Sequence, residues 1–135
     1  MADYTIKNIK DLDDQAESFG LSPEFEARFA AEPLGCEKTG MSYQRYGPNF
    51  RPPFAHRQTE QEELYVVVSG SGRMKLDEEI KELRQWDVVR VAPHVMRAFQ
   101  AGPDGAEVIA FGGPRSGRGD AETVQGWWTD DGDPG

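Results

Sequence analysis

A chain of 135 residues that sets 24 acidic against 15 basic side chains, a net charge of −9, repels phosphate backbones and gives nucleic-acid binding no electrostatic footing. Its one cysteine, Cys36, has no internal disulfide partner, which removes the main mark of an oxidising compartment and leaves a structural or free thiol. No apolar run approaches the ~20 residues of a membrane span, and the N-terminus lacks the basic-then-apolar layout of a signal peptide. The expectation is one soluble, cytoplasmic domain that buries about two thirds of the surface its unfolded chain exposes.

In chain order, Ala2 to Ile9 reads as an edge strand. Ser22-Pro23-Glu24 then reads as a helix start, with an N-cap Ser and Pro at the first helical position, running to about Ala31. Phe25, Phe29 and Ala30 share one face of that helix and would cover the domain or a neighbouring subunit. From Met41 the period changes to two, over 41–46, 64–69, 73–76, 80–83, 88–92, 97–100 and 107–111. Short strands of this kind with Gly, Pro or acidic turns between them favour a β-sandwich or barrel. Asp77-Glu78-Glu79 looks like a hairpin link, and Gly102-Pro103-Asp104-Gly105 like a turn. The stretch 113–120 reads as a loop. Trp127 and Trp128, in an otherwise acidic tail, need a buried partner on the same domain or on a second copy. The chain divides into a leader, 1–40, a β-rich body, 41–112, and a tail, 113–135.

The body carries its chemistry in two stretches. From His56 to Gly70 a His, an amide and a carboxylate precede a β-rich run that ends at Gly. This resembles the first motif of the cupin superfamily, G-x5-H-x-H-x3–4-E-x6-G. His56 matches the first His, Gln58 stands at the second, Glu63 matches the acid and Gly70 closes the motif; the opening Gly, expected at Phe50, is displaced to Gly47. Trp86 to Arg97 is similar to the second motif, G-x5-P-x-G-x2-H, with Trp86 and His94 at the Gly positions, Ala92 at the Pro and Arg97 at the metal-binding His. The spacer, Ser71 to Gln85, has the short length seen in compact bacterial cupins. The resemblance covers about Met41 to Phe111. It implies an all-β fold, a cupin-type small β-barrel (double-stranded β-helix or jelly roll) preceded by the short N-terminal helix, and a homodimer.

Side chains alternate across a strand, so Glu63, Tyr65 and Val67 face one way and Leu64, Val66 and Val68 the other. If Glu63 points inward, as its motif position implies, Tyr65 follows it; Arg97 and Phe99 share a parity likewise. The resemblance then brings His56, Gln58, Glu63 and Arg97 to one interior site, with Tyr43, Tyr65 and Phe99 as walls.

A catalytic transition metal wants neutral imidazoles and carboxylates around an open position. The chain has two histidines, and His94 falls at a turn position nearer the barrel rim. Gln58 offers only a carbonyl oxygen. Arg97 has five donors and no lone pair, and at about 4 Å from a dication, in an effective dielectric near 20, its charge costs roughly 8 kcal/mol. No cofactor is therefore expected; if a divalent metal binds, its ligands are His56, Gln58 and Glu63. Arg97 would instead pair with Glu63, either as a satisfied remnant that fixes the interior or as a receptor for a small carboxylate, sugar acid or phosphate entering the mouth, with Glu63 and Gln58 reading its hydroxyls. The reading adopted is a cupin-fold protein that binds a small polar or anionic molecule in the barrel interior, with no nucleic-acid or membrane partner. The alternatives are a metal-dependent enzyme of dioxygenase or sugar isomerase type, or a metal-free isomerase with His56 as base.

Overall fold

A computed structural model describes residues 3–114 and 121–128 of the chain. Eight strands form one curled antiparallel sheet: β1 (Phe25–Phe29), β2 (Gly40–Tyr46), β3 (Phe54–Arg57), β4 (Glu62–Leu76), β5 (Glu79–Arg84), β6 (Val88–Val91), β7 (Arg97–Gly113) and β8 (Glu122–Gln125). Two long strands organise it. β4 and β7 pair along most of their length, from Glu62↔Gly113 to Leu76↔Arg97. Along the way β4 also takes β5 and β6, while β7 takes β2 and β3. A sheet in which two strands serve both walls closes into a barrel.

The inward faces follow period two and fill with Tyr46, Tyr65, Val67, Met74, Val91, Phe99 and Val108. The rings of Tyr46 and Phe99 lie 4.8 Å apart, and Phe25 meets Tyr46 edge-on at 5.0 Å. Each such side chain contributes about 1.5–3 kcal/mol through burial.

The leader departs from its sequence reading. Residues 25–29, expected in a helix, form β1, which pairs with β2 from Phe25↔Tyr46 to Phe29↔Ser42. Ser22-Pro23 is a local start signal that tertiary pairing overrides. Glu26 and Arg28, two apart, share a side only on a strand; there Glu26 binds Arg28 and, across the register, Arg45. The α-helix that does form, α1 (Ala31–Leu34), is one turn ending at Gly35 in the left-handed region, φ 73°. No edge strand precedes it among the described residues: Ile9–Asp11 is a 3-10 turn, capped by Asn8 Oδ1 accepting from Lys10 N.

The hairpin at 77–78 is present, with Leu76 opposite Glu79. The turn expected at 102–105 is instead a bulge inside β7, between the pairs Gly72↔Ala101 and Gly70↔Ala106. Gly70 makes this crossing tight. Its φ is 75°, and a Cβ there would lie 2.1 Å from the carbonyl oxygen of Gly105.

β3 and β8 are four-residue strands without an apolar alternation and escape the sequence pattern. β8 lies along β3, and Trp128 then packs on Ala55, Met96 and Ala98 on the outer face of the barrel, with the Arg51 guanidinium 4.3 Å over its ring. The expected loop at 113–120 lies, from residue 115 on, outside the described residues. No helix among the described residues is long and apolar enough to cross a membrane.

Candidate functional site

On β3, Ala55 and Arg57 are claimed by the outer side. Ala55 lies under Trp128 and Arg57 pairs with Glu122 of β8. His56 therefore points inward, opposite Arg97 in the β3–β7 register. Glu63 and Tyr65, two apart at the start of β4, share the inward face. Arg97 opens β7 and is 1% exposed. These four side chains meet at one end of the barrel, and only His56, its side chain 28% exposed, reaches solvent appreciably.

Glu63 is the hub. Its Oε1 accepts from Arg97 Nη1 at 2.6 Å and from the Tyr65 hydroxyl at 2.5 Å, and faces His56 Nε2 at 3.2 Å. A carboxylate can only accept, so the imidazole carries a proton on Nε2, leaving Nδ1 as an acceptor when the ring is neutral. Burial alone would raise the Glu63 pKa; the hydrogen bonds from His56 and Tyr65, with the charges of His56 and Arg97, outweigh it and hold the carboxyl below the usual range. Tyr65 is displaced well upward, first by burial and then by the Glu63 charge, so at neutral pH it remains a phenol and a donor.

Arg97 turns the rest of its fork toward the chain. Nε donates to the Val95 carbonyl at 2.9 Å, and Nη2 to the carbonyls of Ala92 at 2.9 Å and Pro93 at 3.2 Å. With the Glu63 bond, four of its five N–H groups are engaged. The residue ties the β6–β7 loop to Glu63. An Arg97 fork left open to a ligand, one of the two readings of this residue from sequence, is not the geometry found.

Gln58 continues the inward parity of β3, and its backbone N–H donates to Pro93 O at 2.7 Å, the same carbonyl that Arg97 binds. Its side chain is buried, 8% exposed, yet Oε1 has no partner. Gln61, also buried, adds an amide that sequence reasoning passed over. Its Oε1 occupies space beside Glu63 that a Cβ on Gly112 would invade at 2.8 Å. Its one legible signal is a lone neutral amide within the acidic run 60–63.

Two expected wall residues stand elsewhere. Tyr43 faces outward: its hydroxyl donates to Glu107 Oε2 at 2.5 Å and accepts from Lys10 Nζ at 3.3 Å. Parity on β2 is set by Tyr46, whose ring belongs to the core, so Ser42 and Gln44 share the inside with it. They form a chain, Tyr46 to Gln44 Oε1 at 2.6 Å and Gln44 Nε2 to Ser42 Oγ at 3.0 Å. Phe99 lies inward but packs on Tyr46 in the core. His94 sits exposed on the β6–β7 turn. A groove of about 540 Å³, lined by Ile9, Leu34, Met41, Leu64 and Phe111, lies on the outer face, away from this chemistry.

Of the four clustered side chains, His56 and Glu63 carry atoms that could ligate a divalent cation, and Arg97 brings a positive charge that opposes one. Glu63 Oε1 and His56 Nε2 already face each other, and the Arg97 guanidinium lies 2.6 Å from the same oxygen. Among the described residues no group of three His, Cys, Asp or Glu side chains is placed to hold a metal.

Comparison with solved structures places this fold in a known class. The chain matches a cupin protein (BF4112) from Bacteroides fragilis with TM-score 0.69 at 20% identity, over 87% of this chain and 90% of that one. It matches KdgF from Halomonas sp. with TM-score 0.66 at 17% identity, over 82% and 95%. A variant of Streptomyces PAC13 solved with uridine gives TM-score 0.70 at 14% identity, over 93% of each chain. No family model and no curated protein sequence matches the chain. The chain has the cupin fold, as a single barrel; at these identities the likeness defines the fold, and activity is argued from the site.

Proposed function

We propose that this protein is a binding module for a small polar molecule, held at the end of the barrel against His56, Gln58 and the Glu63–Tyr65–Arg97 cluster. The observation that carries the reading is the convergence of His56, Glu63, Tyr65 and Arg97 on one inward face, with His56 open to solvent and the buried Gln58 two residues along from it. A purely structural ion pair has no use for a half-buried imidazole. That PAC13 is solved with uridine supports a barrel of this shape accommodating a ligand of that size. The site works without a resident metal, because Arg97 supplies the positive charge that balances Glu63. Plasma mass spectrometry on protein supplemented with Fe, Mn, Ni, Zn or Cu is expected to find far less than stoichiometric metal. A stoichiometric metal lost on His56→Ala would overturn this.

A second reading has its own observation. His56 Nε2 on Glu63 Oε1, with the Tyr65 hydroxyl 3.3 Å away, is a base oriented by a carboxylate with an acid alongside. Such a trio suits a metal-free isomerisation in which Nδ1 takes the substrate proton. Turnover abolished by His56→Gln with binding retained would favour it over the binding module.

The protein is a homodimer in this reading. Leu64, Phe111 and Val88 are 42%, 44% and 60% exposed on the outer face of adjoining strands, with Leu64 opposite Phe111 across the β4–β7 register. The apolar groove continues the same surface.

A further inference from the structure

Resting on the barrel-end site proposed above, we infer that its ligand is a neutral, hydroxyl-bearing molecule, and that Gln58 Oε1 is the acceptor that selects it over a carboxylate or phosphate. Three features of the site point this way. Gln58 Oε1 is a carbonyl without a partner in a side chain 8% exposed, a state that costs about 1–3 kcal/mol if nothing answers it. It asks for a donor. The second ring nitrogen of His56 is also an acceptor in the neutral imidazole, because Nε2 is turned to Glu63.

The cation that an anionic ligand would need is committed elsewhere. Arg97 has one N–H on Glu63 and three on the carbonyls of Val95, Ala92 and Pro93, and its charge is balanced by Glu63 at 2.6 Å. Nearby, Arg90 is paired with Glu62 at 3.0 Å and Arg57 with Glu122 at 3.0 Å. An incoming carboxylate would meet the Glu63 carboxylate and an orphan carbonyl, and the Arg97 guanidinium beside them is already engaged. A hydroxyl can donate to Gln58 Oε1, accept at its own oxygen, and carry no charge into a balanced site.

The test is two-dimensional NMR titration of the full chain with glucose, glucuronate and glucosamine, and with ribose beside ribose phosphate. Each is repeated on Gln58→Leu and Gln58→Glu. The neutral sugars are expected to shift amides of 56–65 and 92–97, and Gln58→Leu to weaken them about three- to tenfold, the worth of one neutral hydrogen bond. The same substitution is expected to raise the melting temperature of the free protein, because it removes the orphaned acceptor. That readout shows the variant is folded. Glucuronate or ribose phosphate binding at these amides in preference to the neutral sugars would overturn the inference and leave the barrel-end site standing. Sugar shifts elsewhere, or none with any probe, would overturn the site itself.

Discussion

Arg97 is the residue on which the candidate site turns, because a guanidinium 1% exposed is tolerable only when every neighbour is in place. Arg97→Met should cost about 3–5 kcal/mol in urea unfolding, since it strands the Glu63 charge and the Val95 carbonyl and takes a second donor from the carbonyls of Ala92 and Pro93. Adding Glu63→Gln should recover a substantial part; an additive double variant would show that the two do not act as a pair. Acid provides a second check. The Glu63 pKa is depressed in the folded chain, so its contribution is fully present above the ordinary value of 4.5 and is lost as pH falls below it. Glu26 and Glu107 are depressed as well, by the arginines around Glu26 and by Tyr43 and Ser69 around Glu107, against or despite the cost of burial. The melting temperature of the wild type should therefore fall below pH 4.5, with Glu63→Gln showing a shallower decline; parallel curves would remove Glu63 from the account. The sequence exposed the pairing of Glu63 with Arg97 because both sit at motif positions. It hid the three carbonyls that saturate Arg97, since backbone groups of a loop leave no mark in side-chain identities.

At the scale of elements, parity was readable only where a strand alternates cleanly. β4 does so from Glu63 to Val67, and Tyr65 lies where that alternation places it. β2 offers a Tyr at both parities, 43 and 46, and the choice between them is made by Phe25 and Phe99 packing on Tyr46, contacts that arise far along the chain. β1 escapes a sequence reading for the same reason: an N-cap Ser followed by Pro is a local preference worth about 1 kcal/mol, and ladder pairing with β2 exceeds it. The crossing of β4 and β7 is an element-scale device with a sharp test. Gly70→Ala puts a methyl 2.1 Å from a carbonyl oxygen at a positive φ, and should destabilise by at least about 2–3 kcal/mol or prevent folding. A variant with wild-type denaturation would show that the bulge relaxes freely.

For the whole molecule, the proposed dimer puts its contact on the outer face of β4, β6 and β7. Analytical ultracentrifugation should give a dimer that dissociates in the Leu64→Glu, Phe111→Glu double variant, whose circular dichroism stays that of a folded barrel. A monomeric wild type would leave the groove as a feature of the single chain. Composition and period bounded the molecule to a β-rich domain, whereas β3 and β8, four-residue segments with no periodic signature, left nothing in the sequence pattern to place β3 beside β7 and β8 beside β3. β8 ends the sheet on this side. It shields the free edge of the strand that carries His56, pairing from Phe54↔Gln125 to Arg57↔Glu122. A chain clipped or truncated before residue 121 would present that edge to other chains, so sticky, self-associating protein and loss of the candidate site should arise together from one cut.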